Sequence, residues 1–161
     1  MSQGDMFLRI EGARQGPIKG EAHDRNHVDE IDVLGWSWGM RAATELGGAG
    51  PSARSTVHHL NVVKKVDKAS TALMGSLRNN DLIKSAVLTI RKAGQNPLEY
   101  VVIAMEKVRL TALDVFSGEH GESAELTEKL SLAFQKISVT YVPQGPDGQP
   151  RGSMTFETEI D

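Results

Sequence analysis

Two pairs of histidines are the residues best suited to bind a metal. His23 and His27 are four residues apart, a spacing that places two ligands on one face of a helix. The apolar residues around them follow no helical pattern and Gly20 lies close by, so a solvated loop is the favoured interpretation. His58 and His59 are adjacent in a predicted strand and should point to opposite faces, one inward and one outward. The histidines therefore predict no metal site.

The other residues with chemical potential also lack the spacing that catalysis needs. Gly47-Gly-Ala-Gly50 is glycine-rich, but no G-K-[ST] follows it, so a phosphate-binding loop is not indicated. No serine lies in a G-x-S-x-G turn. Asp29, Glu30 and Asp32 cluster where a strand begins, and a solvated rim is favoured over acid–base chemistry because Asp29 and Glu30 point apart. The sequence predicts no catalytic residue, no cofactor and no enzyme.

Composition restricts the class of protein further. The 161 residues carry a net charge of −3 with dispersed charges, which is unlike the basic footprint of a nucleic-acid-binding protein. There is no cysteine, which excludes disulfides and thiolate metal sites. No apolar run approaches the roughly 18 residues needed to span a bilayer, and the N-terminus shows no secretory signal. We expect a cytoplasmic product without membrane insertion, in which residues 1–161 form a single domain.

The run D-E-I-D-V-L-G-W-S-W-G-M (Asp29–Met40) contains both tryptophans of the chain. Strand residues alternate between two faces, and the apolar residues change parity inside this run. Ile31 and Val33 have one parity, and the later apolar residues have the other: Leu34, Trp36, Trp38 and Met40. A glycine at the change, Gly35, predicts a β-bulge. Trp36 and Trp38 are predicted core anchors, together with Phe134 and Tyr141, and a sugar-stacking platform is the less favoured alternative.

The remaining periodicity predicts a mainly β protein with one helix. Strands are predicted over Met6–Ile10, Asp29–Met40, Val57–Val66, Leu82–Lys92, Leu98–Phe116 (one strand or two), Leu130–Val142 and 154–160. Apolar residues change to helical spacing over Lys68–Asn80, with Asp67 as the N-cap. Long loops are predicted over Gly12–His27 and Arg41–Ser55. The fold class is an antiparallel β-barrel, or two packed sheets, with one α-helix on its side.

Several segments, in order along the chain, form a recognisable set: D-M-F-L-R-I-E-G (Asp5–Gly12), G-E-A-H-D-R-N-H (Gly20–His27), D-E-I-D-V-L-G-W-S-W-G (Asp29–Gly39), V-K-K-V-D-K-A-S-T-A-L (Val63–Leu73), L-T-I-R-K-A-G (Leu88–Gly94) with L-E-Y-V-V-I (Leu98–Ile103), and E-K-L-S-L-A-F-Q-K-I-S-V-T-Y (Glu128–Tyr141). Together these segments resemble the haemolysin-coregulated protein (Hcp) family of the bacterial type VI secretion system. The resemblance departs at Thr71, where the family often has proline, and is loose over Pro143–Asp161.

The resemblance implies a structural role in a secretion machine. It implies a homohexameric ring of barrel subunits that stacks into the inner tube, is driven out by a contractile sheath behind a spike, and carries effector proteins. Secretion would then need no signal peptide. An autonomous ligand-binding β-barrel is the alternative. The strand content fits a ring independently of the resemblance, because a chain with many strands must cover its sheet edges and neighbours in a closed ring can cover them. A head-to-tail contact that closes by rotation makes a ring, and one along the axis that does not close makes a filament.

The loop Arg41–Ser55 is the candidate contact between stacked rings. It is too long for a plain connection in a compact domain, and loops of this length usually have a function or are disordered. Its candidate contact residues are Arg41, Glu45, Leu46, Gly47 and Gly48.

Overall fold

Short stretches of alternating inward and outward residues build the wall of the fold. The structure, a computed structural model, describes residues 5–43, 55–92, 98–117, 125–147 and 152–160. The elements in chain order are β1 Met6–Gly12, β2 Gly16–Ile18, β3 Ile31–Ser37, β4 Met40–Ala42, β5 Ser55–Val57, β6 Leu60–Lys65, α1 Ser70–Arg78, β7 Ile83–Arg91, β8 Glu99–Ser117, β9 Leu126–Tyr141 and β10 Met154–Glu159.

Six of these strands close into an antiparallel barrel. Their order is β9-β6-β3-β1-β7-β8, and β8 pairs again with β9 to complete the circle. Three additions lie outside the circle: β2 pairs with β1, β10 pairs with β9, and β4 pairs with β5 in a separate ribbon. The prediction of a mainly β antiparallel barrel with a helix is confirmed.

The observed strand boundaries differ from the predicted ones in three places. The region Leu98–Phe116 is one continuous strand of 19 residues, β8. The predicted loop Gly12–His27 contains the short strand β2, and the strand predicted over Asp29–Met40 is divided between β3 and β4. A three-residue strand is too short for periodicity to identify.

The barrel interior is filled by the inward side chains of its strands. Along β6 and the first half of β9, buried residues alternate with less buried ones, as period-two alternation requires. The buried apolar residues of β1, β6 and β9 include Leu8, Ile10, Leu60, Val62, Leu130 and Leu132. The helix α1 adds Leu73 to the same cluster. The predicted core anchor Phe134 is buried on β9.

The predicted bulge at Gly35 is present, and it separates the apolar residues of β3 into two sets. Val33 pairs with Lys64 and Gly35 pairs with Val63, so the register shifts by the inserted residue Leu34. Trp36 then lies opposite Val62, and directly paired residues share one face of the sheet. Leu34 is 49% exposed, so its assignment to the apolar face of Trp36 is wrong.

A fully buried ion pair joins β6 to β9 beneath the helix. Lys64 lies opposite Glu128 in the β6–β9 register, and its Nζ is 2.6 Å from Glu128 Oε1. The same ammonium is 2.9 Å from Asp67 Oδ1 and donates to Ser70 Oγ at 3.2 Å. A buried charge must be paired and hydrogen-bonded to be tolerated. This four-residue cluster therefore fixes the start of α1 to two strands of the barrel.

Both ends of α1 are closed by local hydrogen bonds. The prediction of Asp67 as the N-cap is wrong, because the helix begins at Ser70, two residues later than predicted, and its N-cap is Ala69, which makes no side-chain capping bond. The Asp67 carboxylate instead accepts from the backbone N–H of Ala69 at 3.0 Å. At the other end, Asn80 has a φ of 53° and its N–H donates to the Leu77 carbonyl, while the Asp81 N–H donates to the Ser76 carbonyl. This pattern is a Schellman motif, in which asparagine takes the left-handed position.

The buried ion pair generates a prediction about stability. Lys64→Met should lower the free energy of unfolding by about 3–5 kcal/mol, because Glu128 would remain as an uncompensated buried charge. Replacing both partners, with Lys64→Met and Glu128→Leu together, should recover most of that loss.

Urea unfolding at a fixed protein concentration measures these differences. Lys65→Met is the matched control, since Lys65 is next in the chain but its partner Glu125 and its own side chain are exposed. It should cost at most about 1 kcal/mol. Equal losses for the two methionine variants would contradict the role given to Lys64.

Candidate assembly surfaces

The first surface is the β4–β5 ribbon, which carries the predicted inter-ring loop. Met40 pairs with Val57 and Ala42 pairs with Ser55, so the ribbon brings the two ends of the loop together. The loop boundaries Arg41 and Ser55 are therefore wrong, since both residues belong to strands. Arg41 is exposed on β4. The other candidates, Glu45, Leu46, Gly47 and Gly48, lie outside the described residues.

Trp38 attaches this ribbon to the barrel. Its indole Nε1 donates to the His58 carbonyl at 3.0 Å, and its ring packs against the buried core cluster. The His58 N–H in turn donates to the Gly39 carbonyl at 3.0 Å. Trp38 is thus a partly buried clip between the barrel and the ribbon rather than a fully buried anchor.

Trp36 is not the core anchor that the sequence predicted. It lies on the face of Val62, yet 37% of its surface is exposed. The reason is the unequal length of the neighbouring strands. In the described residues β1 pairs with β3 at Ile31 and Asp32, before the bulge, so Trp36 has a paired strand on one side only.

His58 and His59 lie in the turn between β5 and β6, and both are exposed. The prediction of one inward and one outward histidine is wrong because the two residues are not part of a strand. They line a shallow pocket of about 280 Å³ with Trp38 and Arg41. His59 Nδ1 is 3.2 Å from Thr111 Oγ1.

The second surface is an uncovered strip of apolar side chains on β9 and β10. Across these strands and β8, Ile103, Val139 and Phe156 occupy one row of directly paired residues. Ile103 is buried in the core, whereas Phe156 is 44% exposed, so the apolar face of the sheet continues past the barrel. In the next row with the same side-chain direction, Val101 pairs with Tyr141, and Tyr141 pairs with Met154. We call Tyr141, Met154 and Phe156 the apolar strip.

Tyr141 is therefore also not a core anchor. It has the inward phase of β9, but it ends the strand at the rim, and 43% of its surface is exposed. Its ring makes an edge contact with Tyr100 at 6.5 Å. On the opposite face of β9 from Tyr141, Lys136 forms an ion pair with Glu157 of β10, and this hydrogen bond raises the pKa of the ammonium.

A third feature is the segment of residues 19–30, which lies against the outside of β1 and which we call the outer segment. A backbone hydrogen bond joins the two ends of this segment, in which the Gly20 N–H donates to the Asp29 carbonyl at 2.8 Å. A Cβ on Gly20 would lie 2.7 Å from the Glu30 carbonyl oxygen, so only glycine fits this approach. The outer segment therefore has a specific backbone conformation held by its own contacts, and it is not a plain solvated loop.

His27 is buried within the outer segment, which contradicts the solvated-loop interpretation of this residue. Its imidazole stacks on Phe7 with ring centroids 4.3 Å apart and planes 6° from parallel. Arg91 also contacts the Phe7 ring, at 4.9 Å from its centroid, and its guanidinium is 2.5 Å from Asp24 Oδ2. That hydrogen bond holds the pKa of the Asp24 carboxyl below its ordinary value. His23, in contrast, is exposed.

None of these arrangements is a metal centre. Across the part of the chain that the structure describes, no group of three or more histidine, aspartate or glutamate side chains is placed to hold a metal ion. No helix in the described ranges is both long enough and apolar enough to cross a membrane.

Residues 7–141 match the family described as type VI secretion system effector, Hcp. Protein hcp1 of Pseudomonas aeruginosa is 38% identical over 151 residues, which cover 92% of this chain and 89% of that protein.

Two solved structures show the same likeness. One is a type VI secretion system effector from Yersinia pestis, with 28% identity and a TM-score of 0.75 over 97% of this chain and 100% of that one. The other is Hcp1 from Salmonella typhimurium, with 26% identity and a TM-score of 0.72 over 96% and 94% of the two chains.

The chain belongs to the Hcp family of type VI secretion proteins. Family membership identifies it as a structural, secreted tube protein and not an enzyme. The resemblance stated from the sequence is confirmed.

The role of Trp38 as a clip generates a prediction. Trp38→Phe keeps an aromatic ring but removes the donor to the His58 carbonyl, so we expect the free energy of unfolding to fall by about 1 kcal/mol from this bond. Trp36→Phe is the matched control, since the Trp36 indole has no hydrogen-bond partner among the described residues and should show a smaller loss. Urea unfolding compares the two, and equal losses would contradict the clip.

Proposed function

We propose that this chain is the subunit of the type VI inner tube, a ring of six copies that stacks into a hollow filament. The apolar strip is the observation that carries the proposal. Its three side chains continue the core face of the sheet, yet they are uncovered in the single chain, with Met154 66% exposed. A contiguous exposed apolar surface beside a folded core is typical of a site that another protein covers.

A neighbouring copy is the partner that fits this strip best. The strip lies at one edge of the sheet, on β10 and the end of β9, and in the described residues β10 pairs with β9 alone. A contact between unlike surfaces of two identical chains generates a closed ring when its rotation closes. The number six comes from the family that the sequence resembles, and the strip supplies the reason for a ring of any size.

Stacking is assigned to the loop between β4 and β5. The ribbon holds both ends of this loop at one place on the subunit, and Trp38 ties the ribbon to the barrel. A loop carried on an anchored ribbon can contact the next ring without altering the subunit that carries it. Arg41, at its exposed start, offers a charged contact, and Glu45 and Leu46 are the further candidates.

The remaining partners follow from the same role. The tube would be driven out by a contractile sheath behind a spike, carry effector proteins, and pass from the cytoplasm to the outside without a signal peptide. An autonomous ligand-binding barrel receives less support. The barrel interior is filled by apolar side chains, and the pocket beside Trp38 is small, polar-lined and not bordered by Trp36.

The apolar strip is tested by placing a charge in it. Phe156→Glu should convert the ring to monomers, because a carboxylate would have to be buried in the contact between copies. Thr155→Glu is the matched control, since neighbouring strand residues point to opposite faces and Thr155 is also exposed. Native mass spectrometry reads the number of copies. A ring that persists in Phe156→Glu would show that the strip is not the ring contact.

Stacking is tested by shortening the loop around Gly47–Gly50. Because the ribbon and its Trp38 clip remain, we expect native mass spectrometry to show that single rings persist. Tube formation and secretion should fail, because the shortened loop can no longer contact the next ring. Replacing the same four residues by alanine, serine, alanine and serine keeps the loop length and serves as the control. Normal secretion of the shortened protein would place the stacking surface elsewhere.

A further inference from the structure

Three neighbouring strands, β7, β8 and β9, change the direction of their side chains at the same level of the barrel wall. On β8, Met105 and Val108 are buried, and the two residues between them, Glu106 and Lys107, are both exposed. Strand residues alternate between faces, so two consecutive outward residues mark a change of phase. The buried residues that flank this change on the three strands pair with one another: Ile83, Val108 and Phe134 in one row, and Ala86, Met105 and Ile137 in the other.

Lys107 has a backbone conformation that lysine rarely adopts. Its φ is 53°, in the left-handed region, where any side chain with a Cβ meets a steric cost. The β7–β8 register places Lys84 opposite it, one residue away from the pair of Ile83 and Val108. Like charges that face each other on neighbouring strands repel. The chain therefore holds two lysines together at an energetic cost, which is typical of functional sites.

These lysines border a groove that consists of two adjoining cavities. One cavity, of about 440 Å³, is lined by Leu82 and Ile160, and the other, of about 600 Å³, extends to the turn after β1. Ala13 and Leu82 line both cavities and so join them. We call the joined cavities the basic groove, and the cationic residues that line it are Arg14, Lys84, Lys107, Arg109 and Lys136.

The carboxylates of the basic groove do not neutralise its cations. The carboxylates that line it are Asp81, Glu106 and Glu159. Lys136 Nζ is 3.6 Å from Glu106 Oε2 and 3.1 Å from Glu157 Oε1, so this lysine has its own counterions. The lining cations that form no ion pair with any described residue are Arg14, Lys84, Lys107 and Arg109. The basic groove thus has a surplus of positive charge in a chain of net charge −3.

The floor of the basic groove beneath the lysines is apolar. Leu82 is 39% exposed and Ile160 is 38% exposed. The Ile160 N–H donates to the Gln135 carbonyl at 2.7 Å, which holds this side of the groove against β9. A small anion such as phosphate would leave the apolar floor uncovered. A peptide segment with an apolar side chain between carboxylates complements both the floor and the charges.

We propose that the basic groove is a docking site for an acidic segment of a partner protein, in which glutamate or aspartate residues flank an apolar side chain the size of leucine. The carboxylates would meet Lys84 and Lys107, and the apolar side chain would cover Leu82 and Ile160. The basic groove shares no residue with the apolar strip or the β4–β5 ribbon. The docking site goes beyond the proposed tube function and does not depend on it.

The binding of short labelled peptides to the full chain, followed by fluorescence anisotropy, tests the docking site. The peptide E-E-L-E-E should bind, and added salt should weaken it because exposed charges are screened. The peptide E-E-G-E-E should bind about tenfold more weakly, because it cannot cover the apolar floor. The peptide K-K-L-K-K should not bind, since its charge has the wrong sign.

Three variants separate the charge of the groove from the stability of the fold. Lys107→Glu should weaken the binding of E-E-L-E-E about tenfold or more, because like charges then meet in the groove. Lys129→Glu is the matched control, an exposed lysine of β9 outside the groove, and should bind as the unaltered protein does. Lys107→Gly suits the left-handed φ, so the midpoint of urea unfolding should rise while peptide binding weakens. Loss of binding in this variant cannot then come from unfolding.

Acetylation of lysines by acetic anhydride, measured by mass spectrometry, locates the peptide on the unaltered protein. E-E-L-E-E should protect Lys84 and Lys107 and leave Lys129 reactive. No binding of E-E-L-E-E, equal binding of E-E-G-E-E, displacement of the peptide by equimolar inorganic phosphate, or unchanged binding in Lys107→Glu would each overturn the proposal. Protection of Lys84 and Lys107 without any peptide, lost when Phe156→Glu separates the copies, would also overturn it, since a second copy of the chain would then occupy the groove.

Discussion

The architecture depends on one buried ion pair. Lys64 and Glu128 face each other from β6 and β9 where the helix α1 packs on the barrel, and Asp67 and Ser70 add further polar contacts to the pair. Replacing such a pair with apolar residues is often harmless to stability, whereas removing one partner is not. The cluster is therefore better understood as a specification of position. An ammonium that must meet two carboxylates and a hydroxyl admits one register of β6 on β9 and one docking of α1.

Sequence patterns predicted the elements better than they predicted exposure. The parity change in Asp29–Met40 located the bulge at Gly35, because alternation is a local property of one strand. Whether Trp36 is covered depends on where β1 stops pairing with β3, which no single-strand pattern contains. The prediction of Tyr141 as a core anchor was wrong for the same reason, since the residue has the inward phase but lies where the strand reaches the rim of the barrel. His27 failed because its partners Phe7 and Glu99 are distant in sequence, so a polar, glycine-containing segment resembled a solvated loop.

The two surfaces assigned to assembly have different physical origins. The apolar strip exists because β10 extends the core face of β9 beyond the closed barrel, so its burial is unfinished in one chain. The β4–β5 ribbon is an addition to the barrel end, attached through the Trp38 indole and the Gly39–His58 backbone bond. A ring contact built from the first and a stacking contact built from the second would be independent. A single ring could then form and persist without its neighbours above and below.

The strands of the barrel are unequal in how far they pair, and this makes the subunit mechanically anisotropic. The β8–β9 ladder runs from the pair Val101–Tyr141 to the pair Ser117–Leu126, so one side of the barrel wall is held by a long series of backbone hydrogen bonds. β1 meets β3 only at Phe7 and Leu8 within the described residues, so the opposite side has a short seam. Force or heat should therefore separate β1 from β3 first, while β8 and β9 remain paired. The His27 imidazole stacks on Phe7, one of the two β1 residues that pair with β3.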